Sequence, residues 1–277
     1  MLSGNIEYFK PTTVMEAVNQ YQKLSKEKKH PIYYGGGTEI LTLGRIMPLN
    51  SHAVIDIKGI NETLMCTMKQ EQLIIGAGLS LTEIEEKNVF PLLTETSKEI
   101  ADHTARNKIT IGGNICGQIF YREAVLPFLL CDSEVVIAGL NGIKTIGINQ
   151  LFKKTLRLED GQFLLQILTD TEYLSLPYVS IKKRQQWYTG YPLLTIAAIK
   201  SRRELRFAFS GLCNFPFRSK QMEKVLNNSS LTVNERIAQS LLFLPKQILN
   251  DLEGSKEFRL FVLSNTLKEI MMELEEK

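Results

Sequence analysis

The feature that most constrains this fold is a run of three glycines, Gly35, Gly36 and Gly37, between a strand pattern and a helix pattern. Residues 31–34 predict a short buried strand, and an apolar helix pattern follows Thr38. Glycine allows positive φ and leaves no Cβ between backbone amides and a ligand. Such amides, with the Thr38 hydroxyl, can hydrogen-bond a pyrophosphate. The spacing matches neither a GxGxxG turn nor a GxxxxGK phosphate loop, and a tight turn without a ligand is the open alternative.

A second glycine pair, Gly112 and Gly113, lies between Thr110 and Asn114. Asn114 can cap nearby backbone groups, which would be a purely structural use of that side chain. Threonine and asparagine are also what a site needs in order to hydrogen-bond a diphosphate and a neutral polar ring. Two loops of this kind on adjacent α/β segments predict a long ligand bound in the crevice between them.

The first 170 residues alternate between strand and helix patterns. Residues 13–16 and 80–83 share the capping-box spacing, a hydroxyl residue followed three positions later by glutamate, which predicts two helix starts. Further strands are predicted over residues 54–57, 73–78, 134–139 and 163–169, and further helices over residues 91–101 and 126–130. A linker at 169–175 is the predicted boundary between a ligand-binding domain, 1–170, with lobes 1–57 and 58–170, and a C-terminal domain, 171–277.

The C-terminal hundred residues carry three strand patterns followed by three helical stretches. The strands are predicted over residues 177–184, 194–199 and 204–211. The last helix is expected to pack an amphipathic face, which the sequence predicts to contain Phe258, Phe261, Val262, Leu267, Ile270 and Met271.

Composition narrows the class of protein. Hydrophobic residues make up 44% of the 277 residues and charged residues 23%, so a folded globular chain is expected. The net charge of +3 includes no dense basic block, and no apolar run approaches the ~18–20 residues that cross a bilayer. We therefore expect no nucleic-acid or membrane partner, no secretion signal and a cytoplasmic location. The four cysteines form no CxxC pair, and buried reduced thiols are favoured over a metal or cluster site.

The order of these motifs resembles the FAD-binding subunits of the molybdenum hydroxylases, a family that includes xanthine dehydrogenase and carbon monoxide dehydrogenase. The matching segments are residues 34–40, 106–107, 110–115, 126–127, 191–193, 210–211 and 216–218. The resemblance covers nearly the whole chain and is greatest to the bacterial purine-oxidising branch, through residues 114–117 and 121–127.

The resemblance implies an α+β fold. It predicts a two-lobed FAD-binding domain of the p-cresol methylhydroxylase/vanillyl-alcohol oxidase type. A smaller α+β C-terminal domain with a three-stranded sheet and a helix bundle would follow it.

The same resemblance implies where FAD binds. The cofactor-binding residues would be Tyr34, Gly35, Gly36, Gly37, Thr38 and Glu39 in the first loop, with Thr110, Ile111, Gly112, Gly113, Asn114 and Gly117 in and after the second. No residue of this chain is expected to be catalytic or to bind a metal.

Two further cofactor residues are implied with alternatives. The family commonly has an acidic Ser-Asp or Ala-Asp pair after the asparagine, whereas this chain has Arg122 and Glu123. Glu123 can still accept hydrogen bonds from ribose hydroxyls, although its carboxylate reaches one methylene further. A basic strand residue near the flavin falls on Lys182, with Lys183 as the alternative, and a solvated lysine is an equally open interpretation of either.

The function that the resemblance implies is electron relay. A molybdopterin-binding large subunit would oxidise xanthine or hypoxanthine, and a small subunit with 2Fe-2S clusters would pass electrons to FAD in this chain. NAD would be the final acceptor, as in a xanthine dehydrogenase of purine catabolism.

Two alternatives stay open at this point. One is a self-contained flavin-dependent oxidase or reductase of the same fold, which would need a substrate domain with a catalytic base or a covalent flavin anchor. The other is an assembly protein that keeps the fold without flavin. The intact glycine loops argue against the second, since such backbones have little use without a ligand.

Overall fold

The computed structural model describes residues 6–46, 50–184, 190–202 and 204–276. The strands, numbered in chain order, are β1 Glu7–Phe9, β2 Ile32–Tyr34, β3 Ala53–Asp56, β4 Cys66–Lys69, β5 Gln72–Gly76, β6 Glu134–Gly139, β7 Gly142–Gly147, β8 Phe163–Asp170, β9 Tyr178–Arg184, β10 Pro192–Ser201, β11 Glu204–Ser210 and β12 Phe217–Arg218. The α-helices are α1 Val14–Lys26, α2 Thr38–Ile46, α3 Leu81–Lys87, α4 Pro91–Lys98, α5 His103–Arg106, α6 Ile111–Cys116, α7 Leu126–Leu130, α8 Ile148–Leu151, α9 Lys220–Leu226, α10 Val233–Ser240 and α11 Lys256–Glu276.

The chain divides into two compact units. Unit 1 comprises Met1–Lys87, His103–Gln118 and Asp132–Asp170, and unit 2 comprises Asn88–Asp102, Ile119–Cys131 and Thr171–Lys277. One change of unit falls within the linker that the sequence indicated. Two inner segments that a linear division assigns to the first domain, Asn88–Asp102 and Ile119–Cys131, belong to unit 2. The domain boundary between residues 170 and 171 therefore stays a prediction.

Unit 1 contains two sheets of different type. Strands β1, β3 and β2 form a parallel sheet in that order, and β4, β5, β8, β6 and β7 form an antiparallel sheet in that order. Three strands, β1, β4 and β7, lie at sheet edges and were not predicted. The first two have three and four residues, and β7 is largely exposed, so none carries a clear alternating pattern.

The helix α1 supplies much of the core of unit 1. Its hydroxyl cap is present, because the Thr13 side chain accepts a hydrogen bond from the amide of Glu16 at 3.1 Å. Ala17, Val18 and Leu24 then face inward and pack with Ile55 and with other buried residues of β3, β6 and β8. Each large aliphatic side chain buried in this way contributes ~1.5–3 kcal/mol. The second predicted capping box is also present, at Ser80 and Glu83.

Unit 2 is built around an antiparallel sheet with the strand order β12, β11, β10 and β9. Strand β10 is buried along most of its length, and its register with β11 runs from Thr195 opposite Ser210 to Ser201 opposite Glu204. The prediction of a three-stranded sheet was wrong by one strand. Strand β12 has only two residues, and a segment that short gives no periodicity to detect.

The buried face of α11 differs from the predicted one. Phe258 and Phe261 are 51% and 64% exposed, so their assignment to the packed face was wrong. The buried residues of α11 are Arg259, Leu263, Thr266, Leu267, Ile270, Met271 and Leu274. Arg259 belongs to this face because its guanidinium donates to the carbonyls of Leu193 and Gly211 and pairs with the carboxylate of Asp251. A guanidinium satisfied in this way can be buried beside the apolar residues of this face.

Both helices and sheets are present in each unit, as the α+β prediction requires. Within the described ranges, none of the helices combines the length and apolarity needed to cross a membrane.

Candidate functional site

The first glycine loop turns the chain from β2 into α2. Gly37 has a φ of +73°, in the left-handed region that favours glycine. A Cβ on Gly37 would also overlap the ring of Tyr34, which folds back over it. The amide of Leu41 then donates to the Gly37 carbonyl at 2.9 Å, and this is the first hydrogen bond of the helix. Glycine is therefore required at position 37 for two separate reasons.

The second glycine loop is fixed against the segment that follows β5. The amides of Ile111 and Gly112 donate to the carbonyls of Leu79 and Ala77 at 2.8 and 2.9 Å. The side chain of Thr110 caps α6 by accepting from the amide of Gly113 at 3.1 Å. Ile111 and Gly112 are buried and anchor the loop, whereas Gly113 is exposed.

The two loops touch each other within unit 1, backbone to backbone. A Cβ on Gly35 would lie 2.5 Å from the Thr110 hydroxyl oxygen, and a Cβ on Gly36 would overlap the carbonyl oxygen of Lys108. Neither position can hold any residue larger than glycine without separating the loops. The sequence predicted one long ligand for two loops, and the structure places these loops side by side.

Gly112 and Gly113 are glycines for different reasons. A Cβ on Gly112 would lie 2.7 Å from the Cβ of Ala77, so this position is closed by the fold itself. Gly113 is exposed, and among the described atoms a Cβ there would approach only the Thr110 hydroxyl, at 2.8 Å. An exposed glycine between capped amides leaves a cradle that a side chain would fill. Because the first amides of α6 are already hydrogen-bonded, what Gly113 offers a diphosphate-containing group such as FAD is surface space that holds no side chain.

Glu39 and Gly117 meet at the other end of α6. The carboxylate of Glu39 accepts a hydrogen bond from the amide of Gln118, and a Cβ on Gly117 would overlap that carboxylate. Glu39 therefore ties α2 to the chain that leaves α6. Asn114 is half-buried, and its backbone N–H donates to the Thr110 carbonyl at 2.8 Å.

The remaining predicted residues, Glu123 and Lys182, lie in unit 2 and pair with each other. Lys182 Nζ is 2.6 Å from Glu123 Oε1, and the two side chains are 6% and 5% exposed. Lys182 also donates to the carbonyl of Glu99 at 2.6 Å, and the Thr195 hydroxyl donates to the same Glu123 oxygen at 3.0 Å. This buried pair was not foreseen, because a sequence does not show which charges meet.

Lys183 and Arg122, the chain neighbours of these two residues, lie in different environments. The Lys183 ammonium lies 3.2 Å from the Glu269 carboxylate, and both side chains are exposed. This setting matches the interpretation of Lys183 as a solvated strand lysine. Arg122 is buried and has a φ of +33°, a left-handed conformation that turns the chain just before Glu123.

One pair of residues beside the first loop was missed. Lys58 was not among the predicted site residues, yet its ammonium donates to the carbonyl of Gly35. The same ammonium is 2.7 Å from Asp56 Oδ1 and 4.8 Å from the centre of the Tyr34 ring. Strands β2 and β3 are parallel neighbours with Tyr34 opposite Asp56. Two parallel strands that end at one edge are the signal that could have revealed this contact.

All four cysteines are free thiols, and Cys131 and Cys213 are buried. In the part of the chain that the structure describes, no group of three or more His, Cys, Asp or Glu side chains is arranged to hold a metal.

Curated relatives match between 60% and 96% of this chain at low sequence identity. Over 96% of its length the chain is 23% identical to the xanthine dehydrogenase FAD-binding subunit of Escherichia coli O157:H7, with 94% of that protein covered. It is 22% identical to the nicotinate dehydrogenase FAD-subunit of Eubacterium barkeri, over 83% of this chain and 82% of that one. The carbon monoxide dehydrogenase medium chain of Hydrogenophaga pseudoflava is 27% identical over 60% of this chain and 59% of its own.

Solved structures establish the fold. A chain of carbon monoxide dehydrogenase from Hydrogenophaga pseudoflava matches with a TM-score of 0.86 at 21% identity, covering 100% of this chain and 99% of that one. A chain of quinoline 2-oxidoreductase from Pseudomonas putida 86 matches with a TM-score of 0.82 at 17% identity and the same coverage. The predicted fold, an FAD-binding domain with a smaller C-terminal domain, is confirmed by these likenesses.

The family itself is identified by a match over residues 4–169, more than half of the chain, to the model described as the FAD binding domain in molybdopterin dehydrogenase. This match contains both glycine loops, whose backbones form the cradle. The resemblance on which the sequence prediction rested is thereby confirmed. The chain belongs to the family of FAD-binding domains of molybdopterin dehydrogenases.

Proposed function

We propose that this chain is the FAD-binding electron-transfer subunit of a multi-subunit molybdenum hydroxylase of the xanthine dehydrogenase type, with NAD as the electron acceptor. The observation that carries the proposal is the contact of two glycine loops around an exposed Gly113. Bound FAD supplies the redox chemistry by accepting electrons from iron–sulfur clusters and passing them to NAD. The residues of this chain bind and orient the cofactor.

The roles proposed for unit 1 follow from the loop geometry. Gly35, Gly36 and Gly37 present amides to the pyrophosphate at the start of α2, where the helix dipole also favours negative charge. Gly113 leaves room for the diphosphate, while Thr110 and Asn114 hold the turn that presents it. The other cofactor-binding residues of this proposal are Tyr34, Thr38, Glu39, Ile111, Gly112 and Gly117.

The roles proposed for unit 2 treat Glu123 and Lys182 as one group. Both Lys182 and Thr195 donate to Oε1 of Glu123. We propose that the other carboxylate oxygen, Oε2, accepts a hydrogen bond from a ribose hydroxyl of FAD. Lys182 then acts through Glu123 by holding the carboxylate in a fixed orientation.

The partners and the substrate are proposed from the names of the relatives. Those names include a xanthine dehydrogenase and a nicotinate dehydrogenase FAD subunit, so subunits of this kind serve more than one heterocycle. We propose a large molybdopterin-binding subunit and a small 2Fe-2S subunit as partners, with xanthine or hypoxanthine as substrate. The greater similarity of residues 114–117 and 121–127 to the purine-oxidising branch favours that substrate class.

The first experiment asks whether the purified full-length chain carries flavin. The expected result is a yellow protein with flavin absorption bands that releases FAD, rather than FMN, on denaturation. A chain that remains colourless after incubation with FAD would contradict the proposal. Addition of NADH should bleach the flavin bands without oxygen, and bands that persist with NADH would exclude NAD as the acceptor.

A second experiment separates the relay from a self-contained flavoenzyme. Co-expression with the genes that adjoin its own should yield a complex containing molybdenum and 2Fe-2S clusters that oxidises xanthine. If the isolated chain instead oxidises a small substrate by itself, the self-contained interpretation replaces the relay. If the complex forms but prefers another heterocycle, the subunit role stands and the substrate assignment falls.

A further inference from the structure

The first glycine loop accepts a hydrogen bond from Lys58, which follows the neighbouring strand β3. Strands β2 and β3 run parallel with Tyr34 opposite Asp56, so the residues after each strand emerge at one edge of the sheet. Gly35 follows β2, and Lys58 lies two residues beyond the end of β3. The Lys58 side chain is 31% exposed, and its ammonium reaches the carbonyl oxygen of Gly35. The topology of the sheet therefore sets this contact.

Lys58 is itself held in place by a buried carboxylate. Oδ1 of Asp56 accepts from the amide of Lys58 at 2.9 Å and from its ammonium at 2.7 Å. Oδ2 of the same carboxylate accepts from the hydroxyl of Tyr8 at 2.6 Å. Burial favours the neutral acid, yet the hydrogen bonds from Lys58 and Tyr8 outweigh it and lower the pKa of Asp56. The carboxylate is therefore ionised at neutral pH and holds the Lys58 ammonium in a fixed position.

The contact with Gly35 determines the direction of one loop amide. In a planar trans peptide the carbonyl and the following N–H point in opposite directions. When the Gly35 carbonyl faces Lys58, the N–H of Gly36 must face away from Lys58. A peptide between two glycines has little steric preference of its own, so without Lys58 this peptide can rotate. One ammonium therefore fixes an orientation that the glycines leave free.

We infer that Lys58 is a positioning residue for the pyrophosphate of the bound dinucleotide: it locks the Gly35–Gly36 peptide with the Gly36 amide turned away from Lys58 and available to a phosphate. The inference rests on the proposed FAD site and adds to it a residue outside both loops. Asp56 and Tyr8 support Lys58, and Tyr34 covers it with an aromatic face at 4.8 Å.

The test compares ligand binding by purified full-length variants. Lys58→Met keeps the aliphatic stem and removes the charge and the donors. We expect the dissociation constants of FAD and of ADP, which shares the pyrophosphate, to rise at least tenfold. The thermal midpoint of the ligand-free protein should fall modestly, because Asp56 loses its ammonium partner, while the protein stays folded at the temperature of the binding assay. Lys58→Arg retains charge and donors and should stay within threefold of wild type. Lys69→Met, which removes an exposed lysine at the end of β4, is the matched control and should bind as wild type does.

Each outcome decides a separate question. If folded Lys58→Met binds FAD and ADP as wild type does, the inference is overturned while the proposed function survives. If wild-type protein binds neither ligand, the proposed function itself has failed. Should Lys58→Met not fold, Lys58→Gln replaces it and is expected to show the same tenfold loss. If neither neutral variant folds, Lys58 is required for folding and not for positioning, and the inference is withdrawn.

Discussion

The two regions that the sequence assigned to one cofactor site are built on opposite principles. In unit 1 the glycine loops meet through backbone atoms, and their contact depends on side chains being absent at Gly35 and Gly36. In unit 2, Glu123 and Lys182 meet through side chains alone, as a pair buried to about the same degree as the apolar core. A substitution that adds a side chain should disrupt the first region, and a substitution that removes a charge should destabilise the second. This difference allows the two to be tested separately.

The largest expected effect is in unit 2. Glu123→Gln leaves the Lys182 ammonium buried without an ionised partner, which costs about 3–5 kcal/mol of the free energy of unfolding. Urea denaturation measures this loss. The double variant with Lys182→Met removes both charges and should recover most of the stability. If the double variant recovers stability but not FAD affinity, Glu123 contacts the cofactor. Recovery of both would reduce the pair to a structural role and remove it from the proposed site.

The next effect is in unit 1. Gly36→Ala places a methyl group on the Lys108 carbonyl, and overpacking of this kind costs about 1–3 kcal/mol. Because the strain falls between the loops, FAD affinity should fall together with stability. Gly147→Ala is the matched control, since a Cβ there lies 3.6 Å from the Gln150 side chain in ordinary contact. Equal stability and FAD affinity in the two variants would show that the loops do not need their close contact.

A smaller effect distinguishes two lysine–carboxylate pairs. Lys58 and Asp56 are 2.7 Å apart, but Lys58 is 31% exposed where Lys182 is 6% exposed. Solvent screens the more exposed pair, so Asp56→Asn should destabilise the protein less than Glu123→Gln does.

The same pair also makes a prediction about pH. The pKa of Asp56 is lowered in the folded protein, so its contribution is fully present above its ordinary value of 3.8 and is lost as the pH falls through the lower folded value. The stability difference between wild type and Asp56→Asn should be constant above that range and shrink below it. A difference that grows as the solution is acidified would contradict this assignment.

The sequence predicts features that are set by residue type or by neighbouring residues, but not contacts between distant segments. The glycine loops were predictable because their geometry excludes side chains, and the absence of a side chain is visible in the residue type. The helix α1 with its Thr13 cap and the capping box at Ser80 and Glu83 follow from local spacing alone. The contact between Gly36 and Lys108 was not visible, because it joins segments more than seventy residues apart.

The errors came from residues whose environment is set by distant partners. Phe258 and Phe261 were assigned to the packed face of α11 on hydrophobicity, yet Arg259 occupies that face because two carbonyls and Asp251 satisfy it. Lys58 was not predicted as part of the site because only the pairing of β2 with β3 brings it to Gly35. In both cases one charged side chain and its acceptors decided what periodicity could not.

The most direct measurement of the central claim is the FAD content of Gly113→Val compared with that of wild type. Gly113 is exposed, but a Cβ there would lie 2.8 Å from the Thr110 hydroxyl that caps α6, so the substitution should lower the free energy of unfolding by about 0.5–2 kcal/mol, the cost of a lost cap. The branched side chain would nevertheless fill the cradle, and the flavin absorption of the purified variant should fall to a small fraction of that of wild type. A folded Gly113→Val protein with full FAD occupancy would contradict the account, because the second glycine loop would then be a turn and nothing more.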